Sequence, residues 1–402
     1  MKVSNRLVLL LAICSSTLFA QQNIENYLSK NKQIQFTYDY EKNDAQFSLL
    51  RDSWISPLML SYSYTKSDPL GDEQTNQVGA LQLNQPIFQS GGIYFGIKYA
   101  KALKQYSDFM VDMAKKQTLK EALSLLLQIK KVDYNIKRQK LQIANAQIDL
   151  EQKKEQYLHG QLASGVLDQA IIEQNRLIQQ LYNTQTSKEK LITNFKTLSD
   201  VSYEKIPIPS LKLVSKEEFL SHNLALKIAY ADIKKNNYNK YTTVAKYLPR
   251  INLVAGYNWT KTKIPVNGKT QTSESNYYNY GINISLPINI NTFVDIEQSH
   301  LTYLKAKAKA QEEKIKAKAL FEEVMQNLAN IQKKKELSQR NIELYLGLLK
   351  DTKELKKSGY KTQYDVELMQ NSVDISKLDI QIYEIEKQLE LLTLYGVYLD
   401  EI

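Results

Sequence analysis

The stretch Ile251-Asn252-Leu253-Val254-Ala255-Gly256-Tyr257-Asn258-Trp259-Thr260 decides the fold. Ile251, Leu253, Ala255, Tyr257 and Trp259 alternate with Asn252, Val254, Gly256, Asn258 and Thr260. A period of two is that of a strand with two unlike faces. About ten residues is also what a tilted strand needs to cross a bilayer. A polar loop follows, Thr262 to Asn276, and then Tyr278, Tyr280, Ile282, Ile284 and Leu286 alternate with Asn279, Gly281, Asn283 and Ser285. These patterns predict strands over about 250–261 and 277–288.

The same pair occurs earlier in the chain. Leu58, Leu60, Tyr62 and Tyr64 alternate with Met59, Ser61, Ser63 and Thr65 over about 57–66; a polar loop runs from Ser67 to Asn76, and Ala80 to Gln85 marks a weaker strand over about 78–87. Alternation alone also suits a soluble antiparallel sheet with one wet face. Aromatic-rich apolar faces opposite polar ones, in a chain with a secretory leader, point to membrane strands. Tyr62, Tyr64, Tyr257, Trp259, Tyr278 and Tyr280 are then expected at the headgroup interfaces. Four strands cannot close a barrel, and in lipid each unpaired backbone group costs several kcal/mol. Several chains must therefore share one barrel: two would give eight strands, three would give twelve.

Around the strands the chain repeats itself. Glu25, Leu28, Ser29 and Asn31 recur as Glu217, Leu220, Ser221 and Asn223 at an offset of 192. After a slip of three, Tyr62, Thr65 and Lys66 recur as Tyr257, Thr260 and Lys261, and Pro86 matches Pro287. Ordered matches at nearly one offset predict two copies of one unit, over 21–199 and 216–402. The segment 200–215, with Pro207 and Pro209, reads as an extended linker. Each copy should open with a helix of about 25 residues, pass through its strand pair, and end in a helical hairpin, over about 92–199 and 293–399.

Those hairpins are long. Between Pro86 and Pro207, and after Pro287, there is no proline. First arms from about Gly92 to His159 and from Phe293 to Lys357 would each run ~100 Å. Ile129, Ile136, Ile143, Leu150 and Tyr157 lie seven residues apart, as do Phe321, Leu328, Lys335, Ile342 and Leu349, with one polar interruption. This is the seam of a coiled coil. The turns are marked by Gly160, Ser164 and Gly165 in the first copy and by Gly359, Lys361 and Thr362 in the second. Asp168 and Asp365 are early acids in the returning helices, favourable near an amino end. Because both strands of a copy lead into long helices, the helices should project from one side of the membrane.

The start of the chain is a leader. Lys2 and Arg6, an apolar run from Leu7 to Ile13, and small or polar residues up to Ala20 predict a signal peptide over 1–20. Ile13 stands before Cys14, where lipidation would want a small residue. Cys14 is the one cysteine, so the mature chain is expected to hold neither disulfide nor thiolate site. Loss of Lys2 and Arg6 lowers the formal charge from +10 to +8. The lysines are interleaved with glutamates along helices, the pattern of solvated helix faces and not of a nucleic-acid surface. His159, His222 and His300 are scattered outside any metal-binding spacing, and there is no nucleophile elbow or phosphate loop. No enzyme activity, metal or cofactor is expected.

Three motifs carry a resemblance. Ala245-Lys246-Tyr247-Leu248-Pro249-Arg250-Ile251 leads into a strand, Ile284-Ser285-Leu286-Pro287-Ile288 leads out of one, and a glycine turn precedes Asp365-Val366. In this order, duplicated behind a leader, they resemble the TolC-like outer-membrane efflux proteins over nearly all of the mature chain. The resemblance implies a homotrimer, in which twelve strands form a β-barrel continued by a twelve-helix tube. It also implies docking through the hairpin tips to a periplasmic adaptor and an inner-membrane pump. Gly359 and Asp365 match the family's glycine–five residues–aspartate pattern, which places acids at a periplasmic constriction. The chain departs from the family at Leu368, where a second gate acid is expected, and at the first tip, where Gly160 to Asp168 is two residues longer. It also ends at Ile402, directly after the final helix. A secreted coiled-coil spacer or adaptor of the envelope, without a membrane barrel, is the competing expectation.

Overall fold

The structure is a computed structural model and describes residues 27–68, 73–266 and 269–399. The expected signal peptide and Cys14 lie outside these residues. Helix α1 (Lys30–Arg51) leads into strands β1 (Met59–Ser67) and β2 (Gln74–Phe88), then into helices α2 (Gly92–Leu158) and α3 (Ser164–Leu198). The order then recurs as α4 (Lys216–Ser221), α5 (Leu224–Lys246), β3 (Arg250–Val266), β4 (Lys269–Ser285), α6 (Thr292–Lys357) and α7 (Gln363–Tyr395). The second opening helix is thus split at His222 and Asn223. At 1.5 Å per residue, the 67 residues of α2 and 66 of α6 each span ~100 Å.

The four strands form one antiparallel sheet in chain order, so β1 and β4 each have one unpaired edge. Three strands run further than the alternation predicts: β2 begins at Gln74, and β3 and β4 extend through most of the expected loop Thr262 to Asn276. Apart from Ile264 and Val266 at the end of β3, both faces are polar there, so hydropathy carries little period, yet the ladder continues to the Val266–Lys269 pair. At its other end β4 stops at Ser285, ahead of Pro287, which has no N–H for a ladder. Pro86 is tolerated in β2 because the register shifts between Pro86 and Phe88.

The helices form a layer one helix thick. Beside the sheet, α1 packs on α2, α2 on α5 and α5 on α6; further away, α3 packs on α2, α2 on α7 and α7 on α6. Midway, short helices meet end to end. The backbone N–H of Ser29 donates to the Leu198 carbonyl (2.8 Å), joining α3 to α1. That of Leu224 donates to Val397 (2.8 Å) and that of Leu399 to His222 (2.9 Å), joining α7 to α5. The apolar core gathers at these joints. Leu123, Leu126, Leu127, Ile129, Phe195, Ile385 and Leu392 surround the first, and Phe219, Leu226, Phe321, Val324 and Leu394 the second. The expected linker is part of this core, because Ile206 is buried in it and the Leu211 N–H donates to Gln388 Oε1 (2.7 Å).

The heptad seam of α6 has two rows. Phe321 and Leu349 are buried as the spacing predicts, and Lys335 is accommodated by an ion pair with Glu384 of α7 (3.1 Å). Ala310, Ala317, Val324, Ile331 and Ser338 form a second buried row at the same spacing. Small residues hid that row from a search for large apolar ones. On α2, Ile129 is buried but Tyr157 is exposed, since the seam frays toward the tip.

Asn223 is 1% exposed and caps α5, its side chain accepting from the Leu226 N–H (3.1 Å). Asn31, its sequence match, lies inside α1; the residue that caps α1 is Ser29. Asn223→Ala would leave a buried N–H unpaired at a joint and should cost about 1–2 kcal/mol. Asn223→Asp should recover most of it. Urea denaturation of both variants checks this, and equal stability of Asn223→Ala and the parent would contradict the capping role.

Candidate functional site

Residues directly opposite in an antiparallel ladder project to the same face. The register therefore assembles two unlike surfaces. On one face, successive rows read Phe88–Ile251–Ile284, then Leu253–Ile282, Leu83–Ala255–Tyr280, Leu60–Leu81–Tyr257–Tyr278 and Tyr62–Gly79–Trp259. Aliphatic rows lie toward the helices and aromatic rows toward the loops. Tyr64 and Lys261 come next, where Glu274 accepts from Trp259 Nε1 (2.8 Å) and pairs with Lys261 Nζ (3.1 Å). All six aromatic residues singled out in the sequence thus occupy one face, in the middle rows of the sheet on the loop side of the aliphatic ones. From Ile251 to Trp259 the strand rises about 27 Å along its axis, about 20 Å in height at a 40° tilt. This apolar face is open, with Leu60 80%, Ile284 71% and Tyr280 79% exposed.

The other face is mostly polar and carries no acid, and its only charged residues among the described ones are Arg250 and Lys269 at its two ends. Ser61, Ser63 and Thr65 of β1 lie beside Asn76, Gln82 and Asn84 of β2, and Asn252, Asn258 and Thr260 of β3 beside Asn279, Asn283 and Ser285 of β4. Asn252 donates to Asn84 Oδ1 (3.0 Å), Asn258 to Asn279 Oδ1 (3.3 Å) and Thr262 to Asn76 Oδ1 (3.2 Å). A Cβ at Gly256 would stand 2.7 Å from Asn279 Oδ1, so a side chain there would turn the Asn279 amide aside.

The two hairpin tips are far from the sheet and share one device. Gly160 (φ 70°) and Gly359 (φ 80°) each follow a helix end in the left-handed region. The N–H of Gly359 donates to Lys356 and that of Tyr360 to Leu355, while Gly160 and Gln161 donate to Tyr157 and Gln156. Both are Schellman turns, for which glycine removes the Cβ penalty. The returning helices then differ. In the second tip Thr362 caps α7 in a reciprocal capping box. Asp365 Oδ2 accepts from the Thr362 N–H (2.8 Å) and hydroxyl (2.9 Å), and Lys361 Nζ lies 3.4 Å from Oδ1. The Thr362 backbone N–H pulls the Asp365 carboxyl below its usual value; partial burial opposes this, and the Thr362 hydroxyl and Lys361 reinforce it. In the first tip the cap is Ala163, which has no side-chain acceptor. Helix α3 already starts at Ser164, so Asp168 lies beyond the first turn and is not the amino-end acid expected from sequence.

Sequence reading missed a set of polar pairs between α2 and α7. Lys131 pairs with Glu386 (2.7 Å) and Arg138 with Asp379 (2.9 Å), and Asn371 donates to Asn145 (2.7 Å). Their α2 members fall seven residues apart, so the signal was present, but in polar residues. Their charges are partly buried between helices, where screening is weaker than at a surface.

Among the described residues no group of three His, Cys, Asp or Glu could hold a metal ion, and no helix is long and apolar enough to cross a membrane. His159 follows the end of α2, His222 lies at the waist against Tyr398, and His300 is on α6 near Tyr303. The three are not brought together.

No model of a known protein family and no curated protein sequence matches the chain. Solved structures do match. The CmeC outer membrane channel of Campylobacter jejuni is 15% identical, with 94% of this chain and 86% of that one covered and a TM-score of 0.71. The outer membrane protein VceC of Vibrio cholerae is 14% identical, with coverage of 94% and 96% and a TM-score of 0.72. The open-state MtrE outer membrane channel of Neisseria gonorrhoeae is 16% identical, with coverage of 93% and 87% and a TM-score of 0.61. The resemblance to TolC-like outer-membrane proteins holds at the level of the fold: this chain is built as those outer membrane channels are, over nearly its whole described length.

Proposed function

We propose that the protein is a passive outer-membrane duct that serves an efflux or type I secretion system, working as a homotrimer. One observation carries the reading: a sheet with one apolar, aromatic-rimmed face and two unpaired edges leads directly into a helical layer ~100 Å long. In lipid the free edges of β1 and β4 need partner strands. Three chains give twelve strands and, with four helices per chain at each level, a tube of twelve helices. The likeness to outer membrane channels supports three chains over two. The two successive units, 21–199 and 216–402 joined through 200–215, are then tandem copies that each supply one strand pair.

In this assembly the aliphatic rows face lipid, and the aromatic rows, from Tyr280 to Tyr64, rim the outer interface. The helices extend through the periplasm, with the tips of both hairpins as the docking end for a periplasmic adaptor and an inner-membrane pump. The pump supplies the energy. A duct lined by Ser, Asn, Gln and Thr suits many solutes and singles out none among drugs, metal ions and proteins. The competing reading, a secreted coiled-coil spacer, makes a different prediction. The duct should be extracted by detergent from outer membranes and run as a heat-modifiable oligomer on gels; recovery as a soluble periplasmic monomer would overturn it.

The second tip is the candidate gate, with Asp365 near the axis among Gly359, Lys361 and Thr362. Gly160, Ser164 and Asp168 would form the outer tip. In a single chain Asp365 acts as a capping residue, and because its folded pKa is depressed, the cap is fully present above the ordinary carboxylate value. It is lost as pH falls through the lower folded value. Charge and capping can be separated. Asp365→Ala removes both and should loosen the tip by about 1 kcal/mol. Asp365→Asn keeps an acceptor but removes three negative charges from the assembly. If the carboxylates attract cations, both variants lower the cation preference of single channels at neutral pH; Asp365→Asn channels identical to wild type would reduce Asp365 to a cap.

A further inference from the structure

The polar face of the sheet has a charge pattern that its periodicity hides. Along β1, β2, β3 and β4 the residues on that face, as fixed by the register, are neutral from Arg250 at the base to Lys269 beside the loop. Both exceptions are cations. Arg250 is the first residue of β3, pairs with Ser285, and shares its face with Asn252 two residues on. Its guanidinium donates to the Lys246 carbonyl (3.0 Å), and among the described residues no carboxylate pairs with it. The nearby acid on α6, Asp295, is already held by Tyr247 (2.6 Å) and Lys246 (3.1 Å). The position is also fixed, because the turn before β3 is tied to the start of α2 by Ser90 Oγ donating to the Pro249 carbonyl (2.7 Å).

We propose that Arg250 forms a cationic collar where the helical tube enters the barrel, and that above it the barrel is a neutral polar sleeve, so anionic solutes are admitted in preference to cations. The proposal rests on the reading of the chain as a trimeric duct and adds to it the charge class favoured at the barrel entrance. The asparagine and serine side chains above the collar offer both donors and acceptors, so they discriminate little by charge. Three guanidinium groups around an opening act together. At about 10 Å from the axis and a screening length of about 30 Å in 0.01 M salt, their combined field should enrich anions and deplete cations by about fourfold each, a bias of anion over cation entry of about twentyfold. In 1 M salt, with screening over about 3 Å, the bias should vanish. The collar is thus opposite in sign to any acid ring at the tip, and each end of the duct can be tested by itself.

The experiment uses the purified full-length protein in planar bilayers under a dilute potassium chloride gradient, with reversal potential as readout. Arg250→Gln should shift the permeability ratio about twentyfold toward potassium in dilute salt and leave it unchanged in 1 M salt, while Arg250→Lys should retain the wild-type ratio. Asn252→Asp, which sets an acid on the same face two residues away, should shift the ratio in the same direction as Arg250→Gln and serves where that variant does not assemble. Open channels whose ratio is unmoved by Arg250→Gln or Asn252→Asp would overturn the collar while leaving the duct intact. Absence of any conductance from wild-type protein would overturn the duct and the collar together.

Discussion

The structure depends on two places where one helix ends against another. A layer of single helices has little interior, and without a joint each short helix would present four unsatisfied N–H or C=O groups at its end. Pairing the Ser29 N–H with Leu198, and Leu224 with Val397, satisfies some of these groups and turns two short helices into one long column. The largest buried side chains, among them Phe195, Phe219, Leu126 and Leu127, gather around the same joints. Position and stability therefore have a common source: among the described residues, the waist is the level at which helix ends, turns and the segment from Val201 to Val214 all flank α2 and α6.

From the waist outward the packing becomes thinner and more specific. Along α6 a row of small residues permits close approach at every level: Ala310 on the sheet side of the waist, Ala317 in the waist core, and Ser338 toward the tip, where α6 meets α7. Between α2 and α7 the contact is polar and repeats with the heptad. Breaking either charge pair by removing one partner would leave a partly buried charge, so these pairs define which helix faces which more than they add stability. The two hairpins thus share an apolar core at the waist, and below it the polar pairs at Lys131, Arg138 and Asn145 join one to the other.

Much of this was legible in the sequence because the long elements have clean periods. Strict alternation from Ile251 to Trp259 gave the faces of the sheet, and the proline-free runs gave the length of α2 and α6. What stayed hidden has physical reasons. The outer halves of β3 and β4 are mostly polar on both faces, with Ile264 and Val266 as the exceptions, so their pairing rests on backbone hydrogen bonds that leave little hydropathic signal. The break at His222 and Asn223 is a joint between helices, and its logic depends on Tyr398 and Val397, more than 170 residues away. At the second tip the Gly359 and Asp365 spacing was readable, but the first tip differs through its start at Ser164, a choice of capping geometry that Asp168 could not reveal.

The sheet is where local and global requirements conflict most openly. Its ladder is complete within the chain, yet both edges and one entire apolar face remain open, with Ile282, Ile284, Tyr278 and Tyr280 exposed beside the free edge of β4. In water this edge would be a template for uncontrolled strand pairing. In lipid the apolar face is satisfied, but the edge becomes more costly than before. Only an environment that offers both lipid and further strands removes both costs. In the proposed duct, membrane insertion and association are therefore coupled for this sheet, and a chain held as a lone monomer in either solvent should be the unstable form.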